Sequence, residues 1–287
     1  MKVTQIAITG KGQDGAIFNG NLFRFDHAKC YVYDLDKINS ANGGRVEPYT
    51  EFTLDKAELI VPHSNSVCFG KDYYDKNDEY PLLYTNIYNN KSKFNDNLMG
   101  VCCVYRLQRL NNTFKTTLIQ LIKIGFTENF KIWKASEESH GVRPYGNFCV
   151  DVKNGYYYAF VMRDKKNGCN IFKFKIPKLG SGELDSTYKV NKVTLTTDDI
   201  IYSFNYPYQN YLQGASINNG KLYSTEGFTS EIYKPAIKVI NLETKQQEQV
   251  VDLLGFGCKI EPEFIDFDGN VCYYGDGDGN LFNVEFN

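Results

Sequence analysis

The sequence predicts an all-β fold built from five copies of one antiparallel unit. Three observations predict it: an aromatic-rich composition, a recurring Asn-Gly or Asp-Gly hairpin, and a recurring strand that follows the hairpin. The 287-residue chain carries 22 Tyr and 20 Phe, residue types that fit a pleated, half-buried surface better than a helical one. With 42% hydrophobic and 23% charged residues, it falls in the ordinary globular range.

The hairpin element is an apolar run interrupted by a two-residue turn. It occurs as Ala16–Phe23 around Asn19-Gly20, as Val150–Tyr158 around Asn154-Gly155, as Ser216–Tyr223 around Asn219-Gly220 and as Phe264–Cys272 around Asp268-Gly269. Such dipeptides tolerate the positive φ angles of a type I′ turn, whose twist matches the flanking strands.

The strand that follows recurs five times: Cys30–Leu35, Cys102–Leu107, Cys169–Phe174, Ile237–Leu242 and Gly279–Val284. Four copies precede a further β-prone run, at Val46–Leu54, Phe114–Gly125, Tyr188–Leu195 and Gln246–Leu254. The fifth has no such run after it, while Lys2–Thr9 is an alternating segment left over at the other end of the sequence. Five four-stranded antiparallel units that complete one another in this way read as a five-bladed β-propeller, with the ring closed by the N-terminal strand. The expected organisation is a single domain over 1–287, with blades at about 11–55, 64–125, 145–197, 211–254 and 261–287, the last completed by 2–9. Insertions are expected at Lys71–Gly100 and Phe126–Arg143.

Over essentially the whole chain these repeats resemble the five-bladed β-propeller superfold. That superfold includes furanoside-type glycoside hydrolases, calcium-dependent nucleotidases, glutaminyl cyclases of the plant type and lectins, so the resemblance leaves function open. Leu212-Gln213-Gly214-Ala215, followed by Leu222-Tyr223-Ser224-Thr225-Glu226-Gly227, is similar to the Gln-Gly and Ser-Thr-Gly pattern of cyclase-like propellers.

Several chemistries find no support in the sequence. The formal charge of −2 supplies no field to hold a nucleic acid. The three histidines, His27, His63 and His140, lie in no nucleophile motif, and neither a P-loop nor a dinucleotide fingerprint is found. Of the eight cysteines, Cys30, Cys102 and Cys169 fall at the same place in three blades, too far apart for disulfides. They read as buried thiols in a reducing compartment. Asp276-Gly277-Asp278-Gly279-Asn280 has calcium-loop spacing without the closing Glu, and so reads as a hairpin turn. No cofactor is called for.

Candidate site residues follow from placement. With the Asn-Gly hairpins at one end of the ring axis, the lead-in loops to each blade's first strand gather at the other. They bring Gln13, Asp14, His63, Asn65, Arg143, Tyr145, Asn147, Gln213 and Glu263 to one mouth. Loops between second and third strands add Asp26, His27, Arg163, Asp164 and Glu226, with Tyr88 and Phe228 as aromatic walls. Convergent polar groups with aromatic walls suit a small polar or anionic ligand or a glycan, with Arg143 as the expected anion holder. The alternative is a glycoside hydrolase using Asp14, Glu226 and Glu263, since that reaction needs two carboxylates flanking the bond. A protein partner would use the 71–100 insertion. The start of the chain is too short and polar for a signal segment, and no run reaches the roughly 20 apolar residues of a membrane helix. The expectation is a soluble, cytoplasmic monomer.

Overall fold

The computed structural model describes residues 1–87, 101–125, 147–162, 169–206, 211–229 and 232–286. Five antiparallel sheets form a ring. Blade one contains β2 (Gly15–Phe18), β3 (Asn21–Asp26), β4 (Lys29–Asp34) and β5 (Thr50–Thr53). Blade two contains β6 (Val67–Phe69), β7 (Leu83–Asn86), β8 (Cys102–Leu110) and β9 (Thr113–Ile124). Blade three is β10 (Phe148–Asp151), β11 (Tyr156–Met162), β12 (Cys169–Lys175) and β15 (Tyr202–Tyr206). Blade four is β16 (Leu212–Asn218), β17 (Lys221–Glu226), β18 (Ala236–Asn241) and β19 (Gln246–Asp252). Blade five is β20 (Pro262–Asp268), β21 (Val271–Asp276), β22 (Asn280–Glu285) and the N-terminal β1 (Lys2–Ile8). The first strands β2, β6, β10, β16 and β20 each contact the next around the axis, and β20 returns to β2.

Closure occurs where the sequence predicts it. β1 pairs antiparallel with β22 from Lys2↔Glu285 to Ile8↔Asn280. The outer edge of β1 is itself covered, because Ile8 N–H donates to Gly44 O at 2.9 Å and Gly43 N–H to Ile6 O at 2.7 Å. That segment is presented by α1 (Leu35–Ser40), which is capped by the Asp34 carboxylate. An uncovered edge here would offer a row of unpaired backbone groups to other chains.

Two of the four predicted hairpins have the expected turn, with positive φ at both Asn19 and Gly20 and at both Asn219 and Gly220. In the other two only Gly155 and Gly269 are left-handed. At the first of these, Asp151 accepts from the backbone and side chain of Asn154, making a longer turn.

The outer strand of blade three corrects the sequence reading. Tyr188–Leu195 is not its fourth strand; that place is taken by Tyr202–Tyr206. Instead β14 (Val190–Leu195), hairpinned to β13 (Glu183–Asp185), pairs in parallel with β9 and widens blade two to six strands. β-propensity marks a segment as a strand but does not choose its neighbour. The long β9 offers the edge that takes it. Leu83–Asn86 likewise lies inside the predicted 71–100 insertion, yet it is the buried second strand of blade two. Of that predicted partner surface, only 71–79 is largely exposed among the described residues.

Apolar side chains fill the seams between blades, as in the cluster where the rings of Phe69, Tyr80 and Phe114 stand edge-on to Phe23 with centroids 5.2–5.6 Å from it. Edge-to-face packing of this kind adds about 0.5–1.5 kcal/mol per pair beyond area burial. All eight cysteines are free thiols, seven of them buried and Cys68 half-buried. No helix among the described residues is long and apolar enough to cross a membrane.

Candidate functional site

Where the first strands begin, polar side chains converge on the axis and most are buried. Asp14, Asn65, Asn147, Gln213 and Glu263 are between 1% and 8% exposed. Burial at this level costs free energy unless each group is hydrogen-bonded. The partners come largely from neighbouring blades. Between blades one and two, Val67 N–H donates to Asp14 Oδ2 at 2.7 Å. Between two and three, Phe148 N–H donates to Ser66 Oγ at 3.2 Å and Asn147 Nδ2 to Asn65 O at 3.0 Å. Asn147 Nδ2 also donates to Gln213 O, joining blade three to blade four. Gln213 Nε2 donates to Glu261 Oε1, joining four to five. Five and one are joined by Ile17 N–H to Asp266 Oδ2 at 2.8 Å, and Ser216 Oγ of blade four donates to the other oxygen of Asp266 at 2.7 Å.

Arg24, which the sequence reading did not single out, supplies a cation at the axis. It is 1% exposed, and its Nη2 donates to Gly12 O at 2.9 Å and Asp276 O at 2.7 Å. Its guanidinium carbon lies 5.6 Å from the Phe264 ring centroid. Burial lowers its pKa, opposed by Glu263, Asp14 and Asp276. Those same acids are pushed the other way. Burial raises Asp14 well above the usual carboxylate range against two backbone hydrogen bonds, and burial together with Glu261 raises Glu263. Asp276 is raised by burial as well. One buried cation faces three acids, and burial disfavours the charged form of each.

Five atoms of this cluster make no hydrogen bond among the described residues: Asp14 Oδ1, Asn147 Oδ1, Glu263 Oε2, and Nε and Nη1 of Arg24. The space beside them is tight. A Cβ built on Gly214 would stand 2.7 Å from Glu263 O and 2.9 Å from Asp14 Oδ1, so only glycine fits there.

Above this buried layer lies a rim of less buried groups. His63 Nε2 is 2.8 Å from Gln13 Oε1, and the His63 ring stacks at a tilt 5.0 Å from His27. His27 Nδ1 lies 2.8 Å from Asp26 Oδ1. Across the ring, Glu261 is half-buried, and its burial pushes its pKa to about 7. Beside it stands an aromatic cluster. Tyr211 and Phe228, 43% and 41% exposed, have centroids 5.3 Å apart, and Tyr233 lies 5.1 Å from Tyr211.

Much of the predicted constellation is therefore together: Gln13, Asp14, His63, Asn65, Asn147, Gln213 and Glu263 share one axial end, with Asp26, His27 and Phe228 around it. Glu226 is tied into its own blade, with one oxygen 2.5 Å from Lys238 Nζ and both side chains nearly inaccessible. Tyr88, Arg143, Tyr145, Arg163 and Asp164 lie outside the described residues. Glu261 could have been found, since it stands two places before Glu263 in the same lead-in. Arg24 had a fainter signal, a charge set between Phe23 and Phe25 in the strand Asn21–Asp26. The Asp276 loop is a hairpin turn whose carboxylate accepts from Asp278 N–H, Asn280 N–H and Asn280 Nδ2. Among the described residues, no three His, Cys, Asp or Glu side chains converge as metal ligands.

Fold and axis together define the class: a five-bladed β-propeller whose axis is filled by hydrogen-bonded polar side chains. No family model and no curated protein matches the chain. Among solved structures it is similar to the computationally designed Ika8 protein, with 10% identity and a TM-score of 0.38 over 99% of this chain and 100% of that one. A likeness of that size carries no argument, and the class rests on the sheet topology of the chain itself.

Proposed function

We propose that the axial mouth binds a small polyhydroxylated ligand, a saccharide or a comparable polar metabolite. The observation that carries this reading is the aromatic cluster of exposed Tyr211 and Phe228 with half-buried Tyr233, its Tyr211 in the lead-in that also carries Gln213 and its bond to Glu261. Flat aromatic faces stack on the apolar side of sugar rings, while neighbouring amides and carboxyls satisfy the hydroxyls. The unpartnered acceptors Asp14 Oδ1 and Glu263 Oε2 beneath the rim support the same reading, because buried acceptors are ordinarily matched by donors. Binding to a panel of methyl glycosides and polar metabolites, followed by saturation-transfer NMR, tests it. Phe228→Ala and Gln213→Ala should each weaken binding at least ten-fold, the exposed Phe228 variant with little change in melting temperature. A blank panel, or binding indifferent to both substitutions, would sink it.

Glycoside-hydrolase-like chemistry is a second reading, favoured by the carboxyl of Glu261, which holds its proton up to about pH 7 at the rim. A general acid works best with its pKa near the operating pH. The second carboxyl would be Glu263, since Asp14 is bound to Val67 N–H and Glu226 to Lys238. Hydrolysis of nitrophenyl glycosides that Glu261→Gln abolishes would favour this reading; binding without turnover in the unsubstituted protein would remove it.

A further inference from the structure

At the opposite end of the ring, the seam between blades three and four holds a lysine where two other blades hold valine. Lys173 lies on β12, opposite Tyr158 on β11 and Tyr202 on β15. Counting from each hairpin, the same register place is Val32 in blade one and Val239 in blade four, both buried in apolar seams. The Lys173 ammonium is held against rings, with Nζ 3.5 Å from the Tyr156 centroid and 5.0 Å from that of Tyr202. Lys245 Nζ lies 4.4 Å from the same Tyr202 ring. Among the described residues neither ammonium has a carboxylate within 4.0 Å, whereas nearby Lys221 is paired with Glu248 at 2.7 Å.

These groups line or flank a cleft of about 290 Å³, floored by Tyr158, Lys173 and Tyr202 and walled by Asn219, Lys221 and Asn241. Asp151 and Glu243 also reach it. The oxygens of Asp151 already accept from Asn154 N–H at 3.1 Å and Asn154 Nδ2 at 2.8 Å. Ring faces attract the two cations without neutralising them, and two ammonium groups sharing one ring repel each other. Burial is the main cause that lowers the Lys173 pKa; the Asp151 carboxylate opposes it, and Lys245 adds a smaller lowering. An anion between the two ammonium groups relieves their repulsion.

We infer that this cleft binds a small oxyanion, a carboxylate or a phosphate, between the ammonium groups of Lys173 and Lys245. The asparagines of the wall supply donors to its remaining oxygens, and the tyrosine floor excludes water from one side. This site is independent of the axial mouth, which lies at the other end of the strands.

Titration with inorganic phosphate and separately with acetate, against sodium chloride at matched ionic strength, tests it through backbone amide shifts. Saturable shifts at Tyr202–Phe204 and Asn241–Glu243 are expected with one oxyanion or both. Affinity should fall at least ten-fold in Lys173→Met, several-fold in Lys245→Ser, and stay unchanged in Lys2→Met. Saturation by phosphate alone identifies a phosphate site, and saturation by acetate as well a general carboxylate site. Shifts that chloride reproduces, or affinities unchanged in both cleft variants, would overturn the inference. If Lys173→Met does not fold, the exposed Lys245→Ser decides alone.

Discussion

The carboxylate of Asp14 in blade one accepts the backbone N–H of Val67 in blade two, 2.7 Å away and out of contact with solvent. Asp266 does the same for Ile17 across the seam from blade five to blade one. First strands of adjacent blades are too far apart to pair as a sheet, so side chains reach across in place of ladder hydrogen bonds. Asp14→Ala should therefore leave Val67 N–H buried without its acceptor and cost about 1–3 kcal/mol. Urea unfolding would check this, and an unchanged midpoint would show that the bond contributes nothing.

Closure makes a second prediction. Removing residues 1–8 deletes β1 and leaves β22 with an open edge. The truncated chain should unfold at lower urea concentration and form larger species on a sizing column.

Glu226 and Lys238 form an ion pair at 2.5 Å with side chains 1% and 2% exposed. Lys238→Met should destabilise by about 3–5 kcal/mol, because it strips this cation from a buried carboxylate. Adding Glu226→Gln to that variant should recover part of the loss, measured as a double-mutant cycle.

Stability should fall as pH rises from about 4 to about 7. Burial raises Asp266 to about 6 and Glu261 to about 7, above the values of an unfolded chain. Between the unfolded and folded pKa the native state holds protons that the unfolded state has released, so raising pH favours unfolding. For these two groups the effect is complete above about 7. Denaturation midpoints between pH 4 and 8 should show this slope, and Glu261→Gln should flatten its upper part. A slope of the opposite sign would refute the assignment.

Gly214→Ala should destabilise by about 1–3 kcal/mol through overpacking, because its Cβ would fall within 3 Å of both Glu263 O and Asp14 Oδ1. Calorimetry would check it, with Gly220→Ala, whose Cβ meets open space but whose φ is +75°, separating crowding from backbone strain.

Sequence alone determined the number of blades, the Asn19-Gly20 and Asn219-Gly220 turns and the return of Lys2–Ile8 to the last blade. These are local or periodic features: a turn is written in two residues, and a strand missing at one end matches a strand left over at the other. It also brought Gln13, Asp14, His63, Asn147, Gln213 and Glu263 to one end, because alternating strands leave no other place for their loops. Only the tertiary structure decided that Val190–Leu195 joins blade two, since a strand's pattern names its buried face and not its neighbour. The same holds for Arg24 and Glu261. Whether a polar side chain is solvated or sealed depends on which backbone groups of another blade lie opposite it, and those groups are dozens to hundreds of residues away in the chain.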